Sequence, residues 1–173
     1  PEWGWLPLLV GMAVADGVRA ATGLDARLKW PNDVLVNERK LCGILCESVG
    51  DLDHPRAVLG FGLNVALRAD QLPVPTATST RLEGSDAGAT TIVAAVLRSL
   101  ETWFSAWDAG QDVVDAYRRR CDTIGREVVV RVAGGEPVRG RAVGVDAGGG
   151  IVVDDGTTVR TFVAGDVEHL RPA

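Results

Sequence analysis

The sequence predicts an α/β (α+β) fold, in which helices pack on a sheet and a small β-barrel follows at the end of the chain. The first observation is an apolar run over residues 6–22, rich in Ala, Val and Leu, that is followed by Gly23 as a helix C-cap. The second is a set of short apolar runs separated by turn residues. The third is a change, after Gly125, to closely spaced short strands.

Four apolar runs of strand length follow the first helix, at residues 26–30, 34–36, 41–47 and 57–67. The first of them stops at Pro31 and the turn-forming pair Asn32 and Asp33. The second and third are separated by only four polar residues, which predicts a hairpin. The fourth contains Gly60 and Gly62, and glycines inside a strand mark a bulge or a close approach to the backbone.

Two further helices are predicted after a loop over residues 68–88. The longer helix covers about residues 90–107, and the shorter one covers about residues 113–121. Four apolar side chains of the longer helix are predicted to share its buried face: Leu97, Leu100, Phe104 and Trp107.

The last part of the chain predicts the barrel, because five short apolar runs are separated by glycine-rich turns. These runs are residues 128–132, 138–145, 151–153, 159–163 and 167–170. We therefore expect a domain boundary near Gly125, with one domain over residues 1–124 and a second over residues 125–173.

Composition excludes several classes of protein. The net charge of −5 argues against a nucleic-acid-binding face, and no apolar run reaches the roughly 20 residues that span a bilayer. The three cysteines are an odd number without metal-type spacing, which favours reduced thiols in a cytoplasmic protein. His54 and His169 lie far apart near predicted loops and are expected to be surface residues, so no metal site is predicted. The chain begins at Pro1 rather than at a Met, which fits a fragment.

Both lysines of the chain, Lys29 and Lys40, lie in one short segment, while the other 16 cationic residues are arginine. A lysine ammonium is a compact point charge that a guanidinium cannot imitate in a tight site. This clustering also arises by chance, so it indicates the segment without establishing a site.

Three segments concentrate polar residues among apolar strands: KWPND at 29–33, RKLCGIL at 39–45 and GFGLNV at 60–65. Together they can form a cleft for an anionic group, with a lysine beside a ligand that a glycine allows to approach. Each residue also has an ordinary explanation. Lys40 fits a solvated hairpin, Asp33 fits an Asx-turn, and Asn64 fits a hydrogen-bonded core amide. Cys42 and Cys46 are better explained as small core residues than as nucleophiles.

In this order, the three segments closely resemble the consecutive motifs of the biotin–protein ligase catalytic domain. The β-rich end of the chain resembles the SH3-like C-terminal domain of the same family. The resemblance covers nearly the whole chain. It implies a class II synthetase-like mixed or antiparallel sheet with helices, followed by a small SH3-like β-barrel.

The resemblance also implies a reaction in two steps. The carboxylate of biotin attacks the α-phosphate of ATP, so that pyrophosphate leaves and biotinyl-5′-AMP forms with the help of Mg²⁺. A lysine of a biotin carboxyl carrier protein domain then attacks this mixed anhydride and expels AMP. The implied partners are therefore biotin, ATP and the carrier domain of a biotin-dependent carboxylase, with no membrane and with no nucleic acid bound by this segment.

The family motifs assign roles to particular residues. Lys40 matches the lysine that contacts biotin and the α-phosphate, where its charge would stabilise the transition state. Asn32 and Asp33 match a polar turn beside the reacting centre, Asp33 being a catalytic candidate and Asn32 an ATP-binding one. Asn64 matches an asparagine associated with the nucleotide and its magnesium. The remaining matches are the biotin-lining strand and a basic nucleotide-binding position: Gly43, Ile44, Leu45 and Arg171.

One part of the family pattern is missing from the sequence. The glycine- and arginine-rich loop of GRGRxGR type, which closes over the adenylate, does not occur between Pro1 and Lys29. We therefore expect residues 1–173 alone to transfer biotin weakly and to self-associate through an uncovered apolar surface. Two alternatives remain open at this point: a lipoate–protein ligase, which shares the fold, and a non-catalytic module that recognises a carrier protein.

Overall fold

The computed structural model describes residues 3–50 and 56–170. This part of the chain contains three α-helices and nine strands, and the strands form two antiparallel sheets. One continuous hydrophobic core joins the helices and both sheets. The predicted α+β class is confirmed. The mixed helices and antiparallel sheets match the predicted synthetase-like fold with an SH3-like end.

Helix α1, Leu6–Thr22, is the centre of the first layer. Most of its side chains are buried, because it packs on the first sheet and on the second helix at once. It ends as predicted at Gly23, whose φ of 75° closes the helix while its N–H donates to the carbonyl of Arg19. Gly17 lets the next helix approach, since a Cβ there would lie 2.6 Å from the backbone of Val96.

The first sheet contains four strands in the order β1-β2-β3-β4, all of them antiparallel. Its strands are β1 (Arg27–Lys29), β2 (Asp33–Val36), β3 (Arg39–Val49) and β4 (Arg56–Leu63). The predicted hairpin joins β2 to β3 through Asn37 and Glu38, which both have positive φ. A bulge between Val34 and Leu35 shifts the β2–β3 register and leaves Lys40 opposite Leu35.

Helices α2 (Ala89–Asp108) and α3 (Val114–Arg120) follow a loop, as predicted. The predicted buried face of α2 is wrong in part. Leu97 and Phe104 are exposed by 53% and 41%, whereas the fully buried side chains are Ile92, Ala95 and Val96. Small and β-branched residues let α2 lie close to α1, and the larger apolar residues remain at the edge of that contact. In the described residues, no helix is long and apolar enough to span a membrane.

The second sheet contains five strands in the order β8-β7-β6-β5-β9. Its strands are β5 (Glu127–Arg131), β6 (Val138–Val145), β7 (Ile151–Asp154), β8 (Val159–Phe162) and β9 (Asp166–His169). All five agree with the predicted runs to within a residue or two. Every ladder is antiparallel, and β8 and β9 form the two edges. The strands of the predicted barrel are therefore present, but β8 and β9 do not pair in the described residues, so the sheet is not closed into a barrel.

Trp30 connects the two sheets through hydrogen bonds. Its indole N–H donates to the carbonyl of Gly149 at 2.9 Å, and its backbone N–H donates to the hydroxyl of Thr123 at 3.0 Å. Trp5 makes a similar contact, donating to the carbonyl of Ala147 at 2.6 Å. The parts of the chain before and after Gly125 therefore share one buried core. The division into two domains near Gly125 remains a prediction.

Candidate active site

An ion pair between Lys40 and Asp33 lies at the centre of the candidate site. The ammonium nitrogen of Lys40 is 2.5 Å from Oδ1 of Asp33, and the Lys40 side chain remains 43% exposed while Asp33 is 16% exposed. Oδ1 of Asp33 is buried and has no other hydrogen-bond partner in the described residues. The site thus presents a partly exposed cation that is oriented by a nearly buried carboxylate.

Gly43 provides the room for this ion pair. It lies opposite Asp33 in the β2–β3 ladder, and a Cβ built on it would be 3.3 Å from Cε and 3.4 Å from Nζ of Lys40. Gly62 lies opposite Gly43 on β4, and Gly60 lies opposite Leu45. Because side chains alternate along a strand, these glycines and Leu45 share one face of the sheet. On this face, the three glycines leave the backbone uncovered beside the exposed side chain of Leu45, and we call this surface the floor of the site.

Ile44 has its side chain on the other face. It is 4% exposed and packs into the core beside α1. Its backbone is held by Asn32, which donates from Nδ2 to the Ile44 carbonyl at 2.9 Å and accepts from the Ile44 N–H at 2.8 Å. Of the three residues predicted to line biotin, Gly43 and Leu45 therefore lie on the face of the ion pair, while Ile44 borders it with its backbone.

The segment Thr76–Thr80 connects Lys40 to Asn64. The backbone N–H of Lys40 donates to the carbonyl of Thr76, and the Lys40 carbonyl accepts from the N–H of Thr78. Asn64 follows the end of β4 rather than interrupting the strand, and its Nδ2 donates to the carbonyl of Thr78 at 3.0 Å. This segment was missed from the sequence, where its only signal was a run of threonine and serine inside a loop.

The second sheet closes one side of the site. A cavity of about 250 Å³ lies between the sheets, with both lysines of the chain in its wall. Asp33 contributes from the first sheet, and Arg126 and His169 contribute from the second part of the chain. The clustering of Lys29 and Lys40 in the sequence was the signal for this cavity, whereas Arg126 and His169 carried no recognisable motif.

His169 is not the surface residue that the sequence predicted. Its Nε2 lies 2.9 Å from the hydroxyl of Thr123, which accepts the backbone N–H of Trp30. Burial, together with the positive charges of Lys29 and Arg126, lowers the pKa of His169 from its ordinary 6.5 to about 4. The imidazole is therefore neutral at neutral pH. His54 lies outside the described residues, as does Arg171.

The depressed pKa of His169 predicts a loss of stability in mild acid. The unfolded chain binds a proton near pH 6.5 and the folded chain near pH 4, so the contribution is complete above pH 6.5 and is lost as the pH falls to 4. We expect His169→Gln, measured by urea unfolding at pH 7 and pH 5, to lose less stability over this interval than the natural protein. An equal loss in both proteins would contradict the assignment.

Cys42 and Cys121 are buried in the core, and Cys46 is partly buried against it. Burial, followed by the negative charge of Asp33, raises the pKa of Cys42 to about 12, and burial also raises the pKa of Cys46 and of Cys121. Their thiols are protonated at neutral pH, which makes them poor nucleophiles. Among the described residues, no cluster of three or more His, Cys, Asp or Glu side chains could hold a metal ion.

Family profiles match both parts of the chain. Residues 6–64 match the biotin/lipoate A/B protein ligase family, and residues 123–170 match the biotin protein ligase C-terminal domain. A biotin–[acetyl-CoA-carboxylase] ligase of Mycobacterium tuberculosis is 40% identical over 98% of this chain. The bifunctional ligase/repressor BirA of Escherichia coli is 26% identical over 97% of it. The chain spans 64% and 53% of the lengths of these two relatives.

Solved structures match the fold. The biotin protein ligase of Aquifex aeolicus superimposes with a TM-score of 0.82 at 25% identity, covering 96% of this chain and 74% of that one. The same ligase in complex with biotin and ATP superimposes with a TM-score of 0.80 at 24% identity, covering 96% of this chain and 71% of the ligase chain. Both matches cover nearly the whole of this chain, which shows that the fold is shared.

Proposed function

Because the chain belongs to the biotin/lipoate protein ligase family, with the C-terminal domain of the biotin protein ligases, we propose that it is part of an ATP-dependent biotin–protein ligase. In the proposed reaction, the biotin carboxylate attacks the α-phosphate of ATP, pyrophosphate leaves, and biotinyl-5′-AMP forms. A lysine of a biotin carboxyl carrier domain then attacks the acyl carbon and AMP leaves. The observation that carries this proposal is the Lys40–Asp33 ion pair beside a floor of glycines.

Lys40 is the proposed electrostatic catalyst of the first step. Two anions, a carboxylate and a phosphate, must meet, and negative charge then accumulates on the phosphoryl oxygens. An ammonium fixed beside them reduces the repulsion and stabilises the transition state. The backbone of Lys40 is held on both sides by Thr76 and Thr78, so little reorganisation is needed at the moment of reaction.

Asp33 is proposed to orient Lys40 and to take part in the second step. Its ion pair holds the ammonium above Gly43 until the substrates arrive. Once biotin and ATP pair with Lys40, the Asp33 carboxylate becomes available to accept a proton from the attacking carrier amine. A nearly buried carboxylate beside a cation fits both parts of this role.

Biotin is proposed to lie on the bare floor of the first sheet. Gly43, Gly60 and Gly62 leave the backbone accessible to the ring system of biotin, and the exposed side chain of Leu45 supplies apolar contact. The biotin carboxylate would then point towards Lys40. An apolar surface with a single charged group at its end is what an apolar carboxylic acid requires.

The proposed nucleotide side of the site consists of Asn32 and Asn64 together with the cavity between the sheets, and Arg171 is the proposed basic contact of the phosphates. The Nδ2 group of Asn64 is bound to Thr78, which leaves the amide oxygen as the group for the nucleotide or its Mg²⁺. The amide oxygen of Asn64 is of the ligand type that this hard cation prefers, with the phosphates supplying the remainder. When bound, Mg²⁺ would neutralise charge on the phosphates.

Replacement of Asn64 should separate nucleotide binding from biotin binding. We expect Asn64→Ala to raise the KM for ATP strongly while changing the affinity for biotin much less, because the amide oxygen of Asn64 is the proposed contact of the nucleotide. Steady-state kinetics with each substrate varied in turn would measure both effects. Equal weakening of both substrates would indicate a structural amide instead.

Lipoate is the alternative substrate that the shared family leaves open. The match of residues 123–170 to a biotin protein ligase domain favours biotin. Isothermal titration of the full-length protein with biotin and with lipoate tests the proposal. Tight binding of biotin with weak binding of lipoate is expected, whereas preferential binding of lipoate would overturn the substrate assignment.

The expected compartment is the cytoplasm.

A further inference from the structure

We propose that Glu83 is a positioning residue that fixes both Lys40 and Asn64 through Thr78. The proposal rests on the function proposed above, because it assigns Glu83 to the same site. Glu83 lies in the loop between the first sheet and α2, and none of the motifs shared with the ligase family includes it.

The Glu83 carboxylate is almost fully buried, since its side chain is 5% exposed, and it accepts three hydrogen bonds. The Thr78 hydroxyl donates to Oε1 at 2.6 Å, and a guanidinium nitrogen of Arg39 donates to the same oxygen at 2.6 Å. Nδ2 of Asn37 donates to Oε2 at 2.8 Å. Such a set of donors compensates the burial of a charge and fixes its geometry.

Each donor leads to the candidate site. Thr78 is fully buried; its N–H donates to the carbonyl of Lys40 at 2.8 Å, and its own carbonyl accepts from Nδ2 of Asn64 at 3.0 Å. Arg39 immediately precedes Lys40 on β3, and Asn37 belongs to the turn that starts that strand. One carboxylate therefore holds the loop segment and the hairpin together at the position of Lys40 in β3.

Glu83 is ionised at neutral pH. Burial raises its pKa, but hydrogen bonds from Thr78 and Asn37 and the charge of Arg39 outweigh burial and bring the pKa below its ordinary value. A glutamine in its place would keep one acceptor oxygen, but its NH₂ group would replace the second. That NH₂ group would then face a hydrogen-bond donor instead of accepting from it. Glu83→Gln should therefore loosen the cluster without leaving a large cavity.

The test compares variants in biotin-dependent pyrophosphate release by the full-length protein. We expect Glu83→Gln to lower kcat on the order of 10-fold to 10²-fold, because small displacements of a catalytic group carry costs of this size. The KM for ATP should rise more than the KM for biotin, since Asn64 lies on the nucleotide side. Thr78→Val should reproduce the effect, whereas Thr78→Ser keeps the hydroxyl and should largely retain activity. Glu101→Gln, at an exposed position, serves as a matched control.

Two further measurements separate positioning from folding and from the proposed function. Urea unfolding shows whether each variant is folded under assay conditions, and the NMR signals of the Asn64 side-chain amide report its contact with Thr78 even in a protein without ligase activity. Altered amide signals in folded Glu83→Gln or Thr78→Val support the proposal. Unchanged amide signals, or unchanged kcat and KM values in an active protein, would overturn it. An inactive natural protein would instead contradict the proposed ligase function.

Discussion

Replacement of Lys40 by alanine is expected to lower the rate of biotin adenylation by about 10²–10³-fold, the usual cost of losing one preorganised electrostatic donor. The charge acts where a carboxylate meets a phosphate, and among the described residues Lys40 is the lysine whose ammonium forms an ion pair with Asp33, although Lys29 lies opposite Asp33 in the β1–β2 ladder. The fold should survive, because the Lys40 side chain is 43% exposed and its backbone hydrogen bonds to Thr76 and Thr78 do not depend on it.

Pyrophosphate release measures this effect, and urea unfolding checks that the variant is folded. Lys40→Arg should rescue little, because a planar guanidinium cannot occupy the space of an ammonium above Gly43. Arg68→Ala removes an exposed cation from the loop after the first sheet and serves as the control, with activity expected to be unchanged. Near-normal turnover of Lys40→Ala would refute the assignment of the site.

Replacement of Gly43 by valine is expected to have the next largest effect, a loss of roughly 10²-fold in adenylation, because it displaces the catalytic lysine and covers the floor. A Cβ at this position already lies 3.3 Å from Cε of Lys40 and 3.9 Å from Oδ1 of Asp33. The additional methyl groups of valine would force the ammonium away from the carboxylate. Since the nearest atoms belong to a flexible side chain, the fold should adapt.

Biotin titration and pyrophosphate release both measure the Gly43→Val effect, and biotin affinity should fall together with the rate. Gly144→Val is the matched control, because Gly144 also lies in a strand and a Cβ there would meet nothing within 4 Å. If Gly43→Val bound biotin as tightly as the natural protein, the ligand would not lie on this face of the sheet.

The secondary structure could be predicted well because the local signals agree with the tertiary packing. The predicted first helix coincides with α1, and the five runs after Gly125 became five strands. The predicted buried face of α2 is wrong in part: Leu100 and Trp107 pack against the core, but Leu97 and Phe104 are exposed, because the helix has apolar residues on more than one face. The choice between these faces depends on α1, where Gly17 admits the backbone of Val96, and sequence periodicity does not contain that contact.

The candidate site could be predicted only where its residues share a strand or a hairpin. Lys40, Asp33 and Gly43 belong to neighbouring strands, so their proximity follows from the β2–β3 pairing. His169 and Glu83 come to the site from distant parts of the chain through contacts with Thr123 and Thr78. Such contacts depend on how the loop and the second sheet pack on the first sheet, and no local sequence pattern predicts them.

Exchange of labelled pyrophosphate into ATP by the full-length protein is the direct test of biotin adenylation at Lys40, because it reports formation of the acyl-adenylate without any carrier protein. We expect exchange that requires biotin, that lipoate does not support, and that falls by about 10²–10³-fold in Lys40→Ala. Exchange that is absent with biotin, equally fast with lipoate, or unaffected by Lys40→Ala would contradict the proposed function and the role of Lys40.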